Sequence, residues 1–320
     1  MASAVRLALS LLCALAAAPA LASERELRFG LSVADNVVYA PVLAAEELGY
    51  FKAVNLSVRV VPLRGASAAG EALARGHVDL ADYTIPYAAR AVADGADLRV
   101  AATASNGFYG WSLIVRAESP VRTVRDLVGH RIGVGARQSI SEMAARRLMD
   151  QTSATFQLEP TGPGAMIPAL RTGAIDGLLF SAAVAQREVF SENARTILEL
   201  SADEDRTAIY GYATSEAALE KKGPELRAFF EALRRATVAM QTDRVYSVRF
   251  IRQFIRVNDN QLAELLHDRV VARLSKTGES RPDSVARALS LAARAWDAPA
   301  LADMPPERVF TNELLNLNPS

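Results

Sequence analysis

Downstream of its N-terminal segment this chain has no cysteine. The single one, Cys13, falls in an apolar run near the start, which excludes disulfides, a thiol nucleophile and cysteine-based metal sites from the rest. Charge of one sign is missing too: 36 Lys and Arg balance 36 Asp and Glu. A protein that coats nucleic acid or binds membranes through a polybasic surface needs a surplus of cations, so no nucleic-acid partner is expected. Lysine is confined to Lys52, Lys221, Lys222 and Lys276. None lies in a loop predicted to face a cleft, which leaves no candidate for a Schiff base. His77, His130 and His267 are far apart and are read as surface or capping residues. There is no G-x-S-x-G elbow, H-E-x-x-H or Walker loop. Gly133-x-Gly135 follows a strand, but Gln138 stands where a dinucleotide fingerprint wants its third glycine. No catalytic residue, metal ligand or cofactor is therefore expected.

A long hydrophobic run is also lacking. Leu7 to Ala18 is apolar but short for a membrane span. With Arg6 before it and the small-x-small site Ala20-Leu21-Ala22 after it, the segment reads as a cleavable secretory signal over residues 1–22. Leu12 precedes Cys13, where a lipid-anchor signal wants a small residue, so no anchor is expected. The mature chain is expected in the periplasm, with hydrophobic cores in place of disulfides.

What is present is a repeated β-α pattern. Ala72, Leu73, Gly76, Asp79 and Thr84 recur as Ala169, Leu170, Gly173, Asp176 and Ser181, each 97 positions on. Gly65 and Gly162 keep the same offset. Each copy reads as a helix end, a glycine turn and a strand. Strand and helix alternate from Glu26 to about Arg116 and again from Arg131, the mark of mostly parallel sheets flanked by helices. From Pro224 onward the apolar spacing is helical. Two units built alike predict two lobes with a ligand cleft between equivalent strand ends. The helical tail is expected to pack on the first lobe, with the second lobe inserted between chain crossings near Gly110–Val115 and Thr207–Thr214. This gives lobe 1 as residues 23–114 and 209–320, and lobe 2 as residues 115–208.

Several segments carry a resemblance. Ala44-Ala45-Glu46-Glu47-Leu48-Gly49-Tyr50-Phe51-Lys52 is followed by Leu56-Ser57-Val58, by the Gly76-x-Val78-Asp79 turn, and by Arg125-Asp126-Leu127-Val128-Gly129 before Arg131-Ile132-Gly133-Val134. In this order they resemble the nitrate/sulfonate/taurine type of periplasmic substrate-binding protein, whose superfamily includes pyrimidine-precursor binders. The resemblance implies an α/β fold of periplasmic binding protein type II, with two lobes joined by two crossing strands. It implies a monomer that closes on a small ligand and delivers it to an inner-membrane ABC permease with its ATPase. The ligand stays open between a sulfonate-, taurine- or nitrate-like anion and a small aromatic or heteroaromatic compound. Alternatives are a pyrimidine-synthase-like enzyme of the same fold and a binding protein that serves a sensor.

Helix N-termini at strand ends present free N–H groups and a positive dipole, and these turns supply the candidate ligand residues. Asn36 and Tyr39 follow the first strand, Ser67 the second, and Tyr83 and Thr84 the third. In the second unit Arg137 and Ser139 follow RIGVG, and Ser181 holds the place of Thr84 in the repeat. Arg137 suits bidentate pairing with an anion. Tyr109 and Trp111, near a predicted crossing, suit stacking on a flat ring, as do Tyr39 and Tyr83. Asp35 and Asp82 act against a bare anion.

Overall fold

The computed structural model describes residues 25–162, 164–200 and 206–315. The expected signal segment lies outside the described residues.

The chain first builds β1 (Arg25–Leu31), α1 (Ala40–Glu47), α2 (Tyr50–Ala53), β2 (Leu56–Pro62), α3 (Gly65–Ala74), β3 (Leu80–Thr84), α4 (Ile85–Ala93) and β4 (Leu98–Asn106). It then builds β5 (Trp111–Arg116), β6 (Arg131–Val134), α5 (Ile140–Thr152), β7 (Gln157–Pro160), α6 (Met166–Thr172), β8 (Gly177–Ser181), α7 (Ala182–Phe190) and β9 (Ala194–Glu199). β10 (Ala208–Ser215) leads into the helices α8 (Glu216–Thr242), α9 (Arg244–Phe254), α10 (Asn260–Arg269) and α11 (Pro282–Ala295).

Two five-stranded sheets result, ordered β2-β1-β3-β10-β4 and β7-β6-β8-β5-β9. Strand for strand these are the same order: β6, β7, β8 and β9 repeat β1, β2, β3 and β4, and β5 stands where β10 stands. In each sheet this inserted strand runs antiparallel to both neighbours. The chain thus leaves the first sheet between Asn106 and Trp111 and returns to it between Glu199 and Ala208.

The repeat seen in the sequence marks equivalent joints. Gly76 and Gly173 end α3 and α6 with φ of 65° and 76°, a left-handed conformation that a Cβ disfavours. Asp79 and Asp176 follow at the same place, and each ties its strand to the first strand of its sheet. Asp79 accepts from the backbone N–H of Arg28 at 2.8 Å, and Asp176 from that of Arg131 at 3.0 Å. In return, the N–H groups of Asp79 and Asp176 donate to the carbonyls of Arg28 and Arg131. Each aspartate also pairs with the guanidinium of the same arginine.

The helical tail packs on the first lobe as expected: α8 lies on α1, α2 and β1, with the Phe229 ring stacked 5.3 Å from Phe51 and 5.5 Å from Phe29. It also reaches the second lobe, α11 touching α5 and α10 touching α7. His267 departs from the sequence reading. It is 5% exposed, on the buried face of α10 with Leu262, Ala263 and Leu266, and its Nδ1 lies 2.9 Å from Ser247 Oγ. The strand β9 had no sequence signal, because its side chains are mostly half-exposed and it lies at the sheet edge. β4 runs on to Asn106.

Candidate functional site

The inserted strands meet each other. Trp111, the first residue of β5, donates its indole N–H to the hydroxyl of Tyr210 on β10 at 2.8 Å. Trp111 and Tyr210 are each 4% exposed. Burial pushes the Tyr210 phenol far above its ordinary range, and the Trp111 bond only partly opposes this. It stays neutral and holds the Trp111 N–H as an acceptor.

In register beside each aromatic residue lies a hydroxyl of the repeat. Tyr210 pairs with Thr84, and Trp111 pairs with Ser181. Thr84 and Ser181 are the N-cap residues of α4 and α7, yet neither side chain caps its helix. This is unusual, since a Ser or Thr at this position normally accepts from the first turn. The Thr84 Oγ1 is buried without a partner among the described residues, as is the Oγ of Ser105, which pairs with Tyr210 on the other side. A buried hydroxyl without a hydrogen bond costs about 1–3 kcal/mol.

The strip continues across the first lobe. Tyr39, 2% exposed, presents its ring edge-on to Tyr210 at 6.2 Å and to Tyr212 at 5.4 Å. Asp82, in register with Tyr212, is 1% exposed. Its Oδ1 accepts from the Ser32 N–H at 2.6 Å and its Oδ2 from the Ser32 hydroxyl at 2.9 Å. Asp82 thereby pins the loop that carries Asn36 and Tyr39. Burial raises its pKa to about 7, although the bonds from Ser32 and the Val33 N–H oppose the rise. Burial, then the charge of Asp82, raises Tyr39 and Tyr212. Tyr87 is pushed to about 12 by burial, then by Tyr83 and Glu142. The charged groups acting on these three phenols are thus carboxylates.

The structure brings together Tyr39, Thr84, Trp111 and Ser181 from the sequence-based set, and the other candidates lie off this strip. Asn36 caps the turn Val37–Tyr39, its Oδ1 accepting from the Val38 N–H. Ser139 caps α5, accepting from the Glu142 N–H. Both oxygens are already engaged. Ser67 is exposed on α3, whose buried face carries Ala69, Ala72 and Leu73. Tyr83 alternates with Asp82 and Thr84 to the opposite face of β3, where its hydroxyl fills the space over Gly70; a Cβ there would lie 2.7 Å from it. Tyr109 lies at the crossing with the Arg273 guanidinium 5.8 Å from its ring. Arg137 is exposed and lines a pocket of the second lobe with none of the strip residues.

Sequence reasoning missed Tyr210, Ser105, Tyr87 and Trp296. Trp296 ends α11, stacks on Tyr87 at 5.4 Å and accepts from Gln138 of the second lobe through its carbonyl at 3.3 Å. Tyr210 and Ser105 carry no local signal; only the pairing of Tyr210 with Thr84 on one side and with Ser105 on the other singles them out.

The pattern of the NMT1/THI5-like family matches residues 36–243. No curated protein matches the chain by sequence. Among solved structures, the alkanesulfonate-binding protein SsuA from Xanthomonas axonopodis pv. citri, bound to MOPS, aligns with a TM-score of 0.70 at 18% identity, covering 90% of this chain and 97% of its own. The periplasmic nitrate-binding protein NrtA from Synechocystis PCC 6803 aligns at 0.71 and 12% identity, covering 91% of this chain and 87% of its own. The desulfurization enzyme DSZB aligns at 0.64 and 15% identity, covering 91% and 97%. At these identities the likeness establishes the fold, the two-lobed periplasmic binding protein architecture.

Proposed function

This chain belongs to the NMT1/THI5-like family, and from that premise we propose that it is the periplasmic solute-binding component of an ABC importer. It captures a small ligand between its two lobes and delivers it to an inner-membrane permease with its ATPase, acting as a monomer behind a cleaved signal. The chain's departure from the first sheet after Asn106 and its return at Ala208 support the division into lobes at 115–208 and the flanking segments. The observation that carries the reading is the matched pair of uncapping hydroxyls, Thr84 and Ser181, each beside an aromatic residue of an inserted strand. Each lobe supplies half of one site, so a ligand that bonds both hydroxyls favours the state in which the lobes meet.

Of the two ligand classes left open by the sequence, the flat aromatic or heteroaromatic compound is the better supported. Apart from the Asp82 carboxyl, the strip consists of rings and hydroxyls, and the charges that raise its phenols are those of Asp82 and Glu142. A bare sulfonate or nitrate is disfavoured beside these carboxylates. A non-enzymatic role is supported by the same composition. His77 and His130 are exposed, and His267 is buried against Ser247 in the tail, so no histidine stands beside these hydroxyls to activate them.

A thermal-shift screen of the purified protein checks the reading. The panel holds pyrimidines, aromatic carboxylates and sulfonates, taurine, alkanesulfonates and nitrate. At a concentration 100 times its Kd, a true ligand adds about 2.7 kcal/mol of stability and raises the midpoint by several degrees. A flat ring compound is the expected hit. No response across the panel contradicts the ligand class, and turnover of any compound contradicts the binding-protein role.

A further inference from the structure

Arg137 is the cation that the sequence singles out for an anion, and the site between the lobes does not use it. Its side chain lines a separate pocket of about 160 Å³ between α5 and the edge strand β7, with Glu142, Arg146, Met149, Phe156 and Leu158. The pocket has two distinct halves. One is polar: Glu142 is 4% exposed, its Oε1 takes Nε and Nη2 of Arg146 at 3.1 and 2.8 Å, and its Oε2 accepts from the Gln138 N–H. Arg146 therefore neutralises Glu142. Arg137 forms no hydrogen bond or ion pair with the described residues, so the polar half carries one unmatched positive charge and a full guanidinium fork. The other half is apolar: Phe156 is 5% exposed, Val134 is 1% exposed at the end of β6, and Met149 and Leu158 close the floor.

We propose that this pocket is a second binding site, specific for a small organic monoanion with a short apolar body, such as an alkanesulfonate or alkanecarboxylate. A guanidinium fork matches the paired oxygens of either head group. The volume lies below the roughly 300 Å³ at which pockets enclose drug-sized ligands, so the apolar body is a short chain. The site belongs wholly to the second lobe, and none of Thr84, Ser105, Tyr210, Trp111 or Ser181 lines it. Its occupancy is independent of what the lobes hold between them.

Calorimetric titration of the purified protein with butanesulfonate and with methanesulfonate, at fixed ionic strength in sodium chloride, tests this. Butanesulfonate should bind, and methanesulfonate, which lacks the apolar body, should bind more weakly. Arg137→Gln, an exposed loop change, should weaken butanesulfonate by roughly tenfold or more, and Leu158→Trp, which fills the floor, should abolish its binding. Thr84→Val should leave it unchanged. Three results overturn the proposal: no binding of butanesulfonate, an unchanged affinity in Arg137→Gln, or a loss in Thr84→Val in place of Arg137→Gln. The last would put the anion between the lobes and so bear on that site alone.

Discussion

Asp79→Ala is expected to lower the unfolding free energy by about 2–3 kcal/mol, the loss of charge-assisted hydrogen bonds from a buried carboxylate to half-buried partners. Asp79 is 4% exposed and serves three groups at once: the Arg28 backbone N–H at 2.8 Å, the Arg28 guanidinium at 2.6 and 3.1 Å, and Lys222 Nζ at 3.2 Å. Burial raises its pKa, but the bonds from Arg28 and Lys222 outweigh burial and hold it below the usual carboxylate range. Lys222 reaches it from a break in α8, where its φ of −127° departs from the helix just before Pro224, and also donates to the Glu26 carbonyl at 2.9 Å. One carboxylate thus joins β1, β3 and the tail. Asp176 is the built-in comparison. It holds the same place in the second lobe, but its side chain is 23% exposed and its guanidinium contacts are 3.4 and 3.5 Å. Asp176→Ala should cost about 1 kcal/mol, in the range of partly exposed pairs. Urea unfolding of both variants measures the difference, and equal costs would refute the ranking.

The second large effect is on pH dependence and comes from Asp82. Its folded pKa of about 7 lies above the ordinary 3.8, so between these values the folded chain keeps a proton that the unfolded chain has released. Stability from this group is fully present below pH 4 and is lost as pH rises through 7. The full span corresponds to a loss on the order of 4 kcal/mol. Asp79 and Asp176, whose pKa values are lowered, act in the opposite direction, their contributions fading as pH falls below the ordinary carboxylate range. Asp82→Asn, which mimics the protonated side chain, should match the wild type near pH 4.5 and exceed its stability at pH 7.5. The difference between the two proteins removes the contribution of His267, whose pKa burial lowers. Denaturation midpoints at a series of pH values give the profile. Parallel curves for the two proteins would mean that Asp82 is ionised throughout.

Much of the scaffold was legible in the sequence, because the features that set it are local. Gly76 and Gly173 carry the left-handed turns, and Asp79 and Asp176 open strands at the same offset. The apolar spacing of the tail gave its helices. The candidate site was legible by halves. Thr84 and Ser181 could be located by their place in the repeat, but whether a cap hydroxyl bonds its own helix depends on a side-chain rotamer that composition does not fix. Tyr210 could not be located at all: its partners Thr84, Ser105 and Trp111 are about a hundred residues away, and only the antiparallel insertion of β10 brings them alongside. Arg137 has chemistry suited to an anion, but it lines a second-lobe pocket with Arg146 and not the strip. Tyr83 failed by one position, since alternation along β3 sends it to the α3 face.

The central claim is that Thr84 and Ser181, from opposite lobes, bond one ligand. Calorimetric titration of the best compound from the thermal screen into the wild type and into the double variant Thr84→Val/Ser181→Ala tests it most directly. Two lost hydrogen bonds together amount to about 2 kcal/mol, a weakening of roughly 30-fold in Kd. That loss, in a variant whose unfolding midpoint without ligand is unchanged or raised, is the predicted result; equal affinity in the two proteins would contradict the account.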